Sequence, residues 1–193
     1  MNAESVLKSI EAEATKKGLP IIGPYRGVFL DEVVRQYRPT QILEVGTLVG
    51  YSAIRMARLL VEGSVVTCVE ISPEFARIAL SNVGRAGLGD KVRILVGDAK
   101  KILPELKGDF DILFLDANKG EYLDYLKSCE PCLHADSVVV ADNVKSHPQE
   151  LAGYLEYVRK SGKFRSECKE PASDYRYGVK TSEPDAVEIS VKL

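Results

Sequence analysis

Short, uninterrupted apolar runs recur along the middle of the chain, and each is followed by a stretch with helical periodicity. Gln41 to Gly46 is the first run, with helical sequence from Tyr51 to Leu60 behind it. Ser64 to Glu70 is rich in β-branched residues, and Pro73 stands where a first-turn proline opens a helix towards Gly84 or Gly87. Val92 to Val96 precedes a short helix around Lys101 to Leu106, and Asp111 to Asp116 precedes helical Tyr122 to Cys129. Ser137 to Asp142 is the fifth run, with a helix predicted from Pro148 to about Lys160. Runs that do not alternate with polar residues belong to strands buried on both faces, as in a parallel sheet.

The two ends of the chain differ from this middle. Residues 4 to 36 read as two helices around a glycine and proline break between Leu19 and Gly27. Phe164 to Cys168 and Ala186 to Leu193 read as two further strands, joined by a loop with Pro171, Gly178 and Pro184 instead of a helix. Five βα units followed by an antiparallel pair predict an α/β, doubly wound sheet covered on both faces. No repeat or linker interrupts it, so residues 1–193 form a single domain: a helical segment over 1–38 and an α/β core over 39–193. Ligands of open α/β sheets bind beyond the carboxyl ends of the strands, where the N-terminal helices could close as a lid.

Composition changes this picture little. The 193 residues carry a net charge of -2, which advertises no nucleic-acid surface. The apolar runs are strand-sized and no apolar leader is present, so no membrane partner and a cytoplasmic location are expected. Cys129 and Cys132 form a C-x-x-C near the end of a helical stretch, with Pro131 inside it; that context predicts structural thiols. The last strand or the N-terminal helices could support a homodimer.

The strand ends carry the chemistry. Glu44-Val-Gly46-Thr-Leu-Val-Gly50-Tyr-Ser52 is a glycine-rich strand-to-helix turn of the kind that admits a ligand to the backbone. Leu48 and Tyr51 stand where a dinucleotide fingerprint requires glycines, so the turn suits a compact nucleoside better than NAD. Glu70, at the end of the second strand, is placed to accept from ribose hydroxyls. Asp98 either meets an adenine edge or caps a helix. Asp116 and the pair Asp142-Asn143 end adjacent strands, whose spacing of about 5 Å lets three hard oxygen ligands converge on Mg²⁺ or another divalent cation. Lys119, three residues beyond Asp116, could serve as a general base there. His134 and His147 are assigned to surface or helix-flanking roles.

The stretch Glu44-Val-Gly46-Thr-Leu-Val-Gly50-Tyr-Ser-Ala-Ile-Arg-Met-Ala-Arg-Leu-Leu60 closely resembles the first motif of the catechol O-methyltransferase family. So do Phe114-Leu-Asp116 with Lys119, and Ala141-Asp142-Asn143-Val144. The resemblance runs from about Leu19 to Val158. It implies a Rossmann-like class I methyltransferase fold with a seven-stranded, mostly parallel sheet and an antiparallel strand near the C-terminus. It implies S-adenosylmethionine as cofactor, contacted by Ile22, Glu44, Gly46, Tyr51, Ser52, Glu70, Ile71, Gly97, Asp98, Ala99 and Asp116. It makes Asp116, Asp142 and Asn143 the cation ligands and Lys119 the general base.

The implied reaction is O-methylation of a vicinal diol, a small catechol-type molecule. The animal enzymes of the family carry histidine and tryptophan directly after the first metal aspartate, where this chain has Ala117 and Asn118. Their acidic substrate contact falls opposite Ala186, with Glu183, Asp185 and Glu188 nearby. Two alternatives stay open: methylation of a hydroxylated uridine in tRNA, aided by Arg159, Lys160, Lys163, Arg165 and Lys169, and a non-catalytic nucleoside-binding module. Nucleic acid is the less favoured partner.

Overall fold

The computed structural model describes residues 2–176, 179–181 and 184–193. Two helices, α1 (Ala3–Lys17) and α2 (Gly23–Tyr37), come first. The core then runs β1 (Gln41–Val45), α3 (Tyr51–Ala57), β2 (Val65–Glu70), α4 (Pro73–Arg85), β3 (Val92–Val96), α5 (Ala99–Ile102), β4 (Phe110–Leu115), α6 (Tyr122–Cys129), β5 (Leu133–Ala141) and α7 (Ala152–Lys160). Strand β6 (Phe164–Lys169), the two-residue strands β7 (Tyr175–Arg176) and β8 (Val179–Lys180), and β9 (Val187–Lys192) complete it.

The main sheet has seven strands in the order β3-β2-β1-β4-β5-β9-β6. Its first five are parallel, and β9 runs antiparallel to both β5 and β6. The strand order reverses between β1 and β4, which opens a crevice at their carboxyl ends. Every residue of β1 after Gln41, and of β4 other than Asp111, is buried. Two apolar clusters, one on each face of the sheet, account for that: Ile42, Phe114 and Val140 point into one, while Leu43, Leu113 and Val139 point into the other. Alternate residues of a strand face opposite sides, so a strand between two layers must be apolar throughout.

Helix α1 begins at Asn2, whose side chain accepts from the Ser5 N–H at 2.9 Å. It buries Val6, Leu7, Ile10 and Ala14 on the face turned to the core. It ends at Gly18, where φ is 66°, a conformation glycine adopts without strain. Polar ties fix both helices to α3: Tyr51 Oη donates to Glu11 at 2.7 Å, and Arg55 pairs with Asp31 at 2.9 Å.

Four expectations need correction. The last strand, β9, is no exposed edge: it is paired on both sides, its residues from Val187 to Val191 are buried, and β6 forms the edge instead. Strand β5 begins at Leu133, because the polar stretch from His134 to Asp136 hides a bulged start with Asp136 at φ 70°. Helix α7 begins at Ala152, not at Pro148. The preceding loop is instead held by Asp185, which accepts from the N–H groups of Lys145 and Ser146 at 3.0 and 3.1 Å. Finally, the loop after β6 contains the small β7–β8 ribbon. Cys129 closes α6 in the core and burial pushes its thiol up to about 12, which suits a structural thiol.

Candidate active site

One cavity of about 1230 Å³ lies over the carboxyl ends of the strands, with the N-terminal helices as its outer wall. Ile22, Gly46, Tyr51, Ser52, Glu70, Ile71, Gly97, Asp98, Ala99, Asp116, Lys119, Asp142 and Asn143 all line it. Most are delivered by the end of a strand or the turn after it; Ile22 comes from the lid segment, Tyr51 and Ser52 from the start of α3, Ala99 from the start of α5 and Lys119 from a short 3-10 turn before α6. The sequence gives their order, and the parallel sheet gives their convergence.

Glu44 is the exception. It is fully buried on β1, beneath the cavity wall instead of in it. Among the described residues neither of its carboxylate oxygens has a hydrogen-bond partner, and the same holds for Thr47 Oγ1. Burial pushes Glu44 up to about 7, only partly offset by the polar Cys68, Ser52 and Thr47 groups, which stand close to it without meeting hydrogen-bond geometry. Buried polar atoms without partners are uncommon in finished cores, and here they underlie the turn that would face a nucleoside.

Glu70 is 6% exposed and does more than wait for a ribose. One of its oxygens accepts from the Thr47 and Leu48 N–H groups at 3.2 and 2.8 Å, and the other from Ser72 at 2.9 Å. It therefore braces the glycine turn, with acceptor capacity left over for a ligand hydroxyl. Gly46, at φ 89°, meets the neighbouring loop closely: a Cβ there would stand 2.3 Å from the Asp116 carbonyl oxygen. The glycine is thus required by the approach of two strand ends as much as by a ligand. Asp98 caps α5, accepting from the Lys100 N–H at 2.9 Å, as one of its two readings held.

Asp116 and Asp142 follow Leu115 and Ala141, which are register partners on adjacent strands. Asn143 turns the chain at φ 65°, a left-handed conformation that asparagine tolerates. Burial raises Asp142, and the nearby Asp116 charge adds to that, whereas Arg26 and Lys119 oppose it. Among the described residues no three acidic, histidine or cysteine side chains form a metal cluster. The set here is two carboxylates and an amide, all hard oxygen donors, and it fits a Mg²⁺ ion that keeps several waters. Lys119 Nζ donates to Asp116 at 2.8 Å and to Tyr122 Oη at 2.9 Å.

Three further residues that the sequence reading did not place in the site belong to it. Tyr122 holds Lys119 from one turn ahead. Arg26, from α2, donates to both oxygens of Asp142, at 2.7 and 3.2 Å, and also to Asp174. His147, expected in a surface or helix-flanking role, lines the cavity from the loop before α7, with its ring on Ser146 Oγ at 2.8 Å. An i+3 spacing from Lys119 could have flagged Tyr122; nothing short of the fold could have flagged Arg26. Of the C-terminal candidates, Ala186 is buried and Glu188 is paired with Arg159 at 2.6 Å. Asp185 is held down to about 2: burial alone would raise it, but Ser146, Asn143 and the Ala186 N–H outweigh that. Glu183 lies outside the described residues. Of the basic residues near the C-terminus, Arg159, Lys160, Lys163 and Lys169 are all ion-paired within the chain.

The O-methyltransferase family model matches residues 2–152. Catechol O-methyltransferase of Mus musculus is 38% identical over 184 residues, covering 90% of this chain and 67% of its own length. That of Niastella koreensis is 39% identical, covering 66% of this chain and 60% of its own. The chain thus spans about two thirds of these relatives, 65% in the case of the Bos taurus enzyme. Among solved structures, the O-methyltransferase of Bacillus cereus in complex with SAH superposes with a TM-score of 0.84 at 27% identity, over 99% of this chain and 90% of that one. TomG of Streptomyces achromogenes, an O-methyltransferase in complex with SAM, gives 0.82 at 26% identity, over 97% and 89%.

Proposed function

The chain belongs to the O-methyltransferase family, and from that premise we propose that it methylates one hydroxyl of a small vicinal diol, a catechol, using S-adenosylmethionine and a divalent cation. The observation that carries the reading is the convergence of the nucleoside-facing turns and the Asp116, Lys119, Asp142 and Asn143 group on one cavity. Its volume of about 1230 Å³ has room for a nucleoside donor and a small acceptor together. The acceptor class comes from the relatives' names.

Each residue has a task in that reaction. Gly46, Glu70, Gly97 and Asp98 hold the nucleoside end, and Ser52 lies towards the methionine end. Asp116, Asp142 and Asn143 would hold the cation, which when bound acts as a Lewis acid and a template for the two diol oxygens. Lys119 Nζ, positioned by Asp116 and Tyr122 Oη, takes the proton of the reacting hydroxyl when it stands as the neutral amine. The methyl group then passes from the donor's sulfonium sulfur to that oxygen. The walls supply mainly orientation, worth several kcal/mol of barrier.

The test is transfer of labelled methyl from S-adenosylmethionine to a panel of catechols, with Mg²⁺ and then with a chelator. Turnover that the chelator abolishes is expected. Lys119→Met should lower kcat by about 100-fold while cofactor affinity, read by calorimetry, stays within about twofold. Chelator-resistant turnover would remove the cation from the reading. No turnover with confirmed cofactor binding would remove the catechol.

A further inference from the structure

Arg26 is the most buried cation at the cavity, 5% exposed, and it arrives from the lid helix α2. It covers both oxygens of Asp142, itself 1% exposed, and it also reaches Asp174, which is 2% exposed and lies in the loop after β6. A carboxylate as deeply buried as Asp142 needs a charge partner, because an unpaired one is severely penalised. Asp142 is also a ligand in the cation reading above, on which this inference rests. One carboxylate therefore has two suitors: a guanidinium built into the chain and a divalent ion from solution.

Charge counting sets the relation between them. Among the described residues Asp116, Asp142, Asp174 and Asp185 outnumber Arg26 and Lys119, so the group keeps a negative balance that draws a cation in. A divalent ion on Asp142 meets a fixed positive charge on the same carboxylate, and like charges a few ångströms apart in a buried site repel strongly. We propose that Arg26 is the resident counter-charge of Asp142: it satisfies the carboxylate when no divalent cation is bound and competes with the cation for it. Because Arg26 belongs to α2, cation loading loosens the hold of the lid on the strand ends. By linkage, a firmly seated lid weakens cation binding by the same factor.

The experiment is Mn²⁺ binding to the full chain, followed by the electron paramagnetic resonance of the free ion, alongside thermal unfolding with and without Mn²⁺. Arg26→Met keeps much of the side chain's length without charge, and is expected to bind Mn²⁺ at least about tenfold more tightly. Its melting temperature should fall without the ion and rise more than that of the parent when the ion is added. Arg26→Lys keeps the charge but loses the two-pronged grip, and should tighten binding only a few-fold; it decides the matter if Arg26→Met does not fold. Binding equal to or weaker than the parent in the folded variants would overturn the proposal and make Arg26 a support for Asp142. Asp142→Asn separates the two readings. Mn²⁺ binding that it does not weaken would overturn the cation assignment together with the Arg26 proposal. Binding that it weakens, with no gain from the Arg26 variants, would overturn the Arg26 proposal alone.

Discussion

At the scale of single residues, Glu44 is a carboxyl group held far from its ordinary behaviour. It is fully buried, has no hydrogen-bond partner among the described residues, and titrates near 7 where 4.5 is usual. The folded chain therefore holds this proton to a higher pH than the unfolded chain does. The contribution of Glu44 to stability is greatest below about 4.5, where both states are protonated, and it falls as the pH rises to about 7. A shift of that size is worth about 3 kcal/mol across the window. Glu44→Gln cannot titrate, so urea unfolding at a series of pH values should show this decline removed. An unchanged slope in the variant would mean that Glu44 is not the group responsible.

At the scale of elements, the turn from β1 into α3 shows what its first glycine is for. Gly46 and Gly63 have similar left-handed backbones, with φ of 89° and 82°, but a Cβ on Gly63 would meet nothing within 4 Å. Alanine at Gly63 should cost only the backbone strain, about 1 kcal/mol. Alanine at Gly46 adds a collision with the Asp116 carbonyl and should cost at least about 2 kcal/mol more. It should also weaken cofactor binding about tenfold or more, since the turn and the β4 end must separate. Chemical denaturation and calorimetry on the two variants make the comparison. Equal costs at the two positions would show that the close approach is relieved cheaply.

At the scale of the whole molecule, the sheet is completed by its last strand. β9 lies between β5 and β6, and it carries the buried Glu188 into that position, where Arg159 matches its charge. Arg159 is itself part-exposed, so the pair is a surface cation reaching down to an interior anion. Arg159→Ala removes the cation paired with Glu188 and should cost about 3 kcal/mol, lowering the melting temperature by about 6–12 °C for a chain of this size. Glu188→Gln in the same background should recover most of the loss. A melting temperature unchanged by Arg159→Ala would mean that water already serves Glu188. Among the described residues no helix is long and apolar enough to cross a membrane.

Sequence alone determined the alternation of elements, the parallel core and the order of the strand-end residues that line the cavity. Buried strands must be apolar on both faces, and functional residues fall at strand ends, so both patterns are local and can be read in order. The resemblance around Glu44, Asp116 and Asp142 added the expected cofactor and reaction and the roles given to Ile22, Tyr51, Ser52, Ile71, Gly97 and Ala99. Tertiary structure alone decided what depends on partners distant in the chain. Arg26 meets Asp142 across 116 positions and Asp174 across 148, and neither pairing leaves a periodic trace. The place of β9 inside the sheet is of the same kind, since pairing order depends on which edges remain open after the core has formed. So is the depth of Glu44: its position on β1 was legible, but its burial beneath the cavity required the packed turn above it.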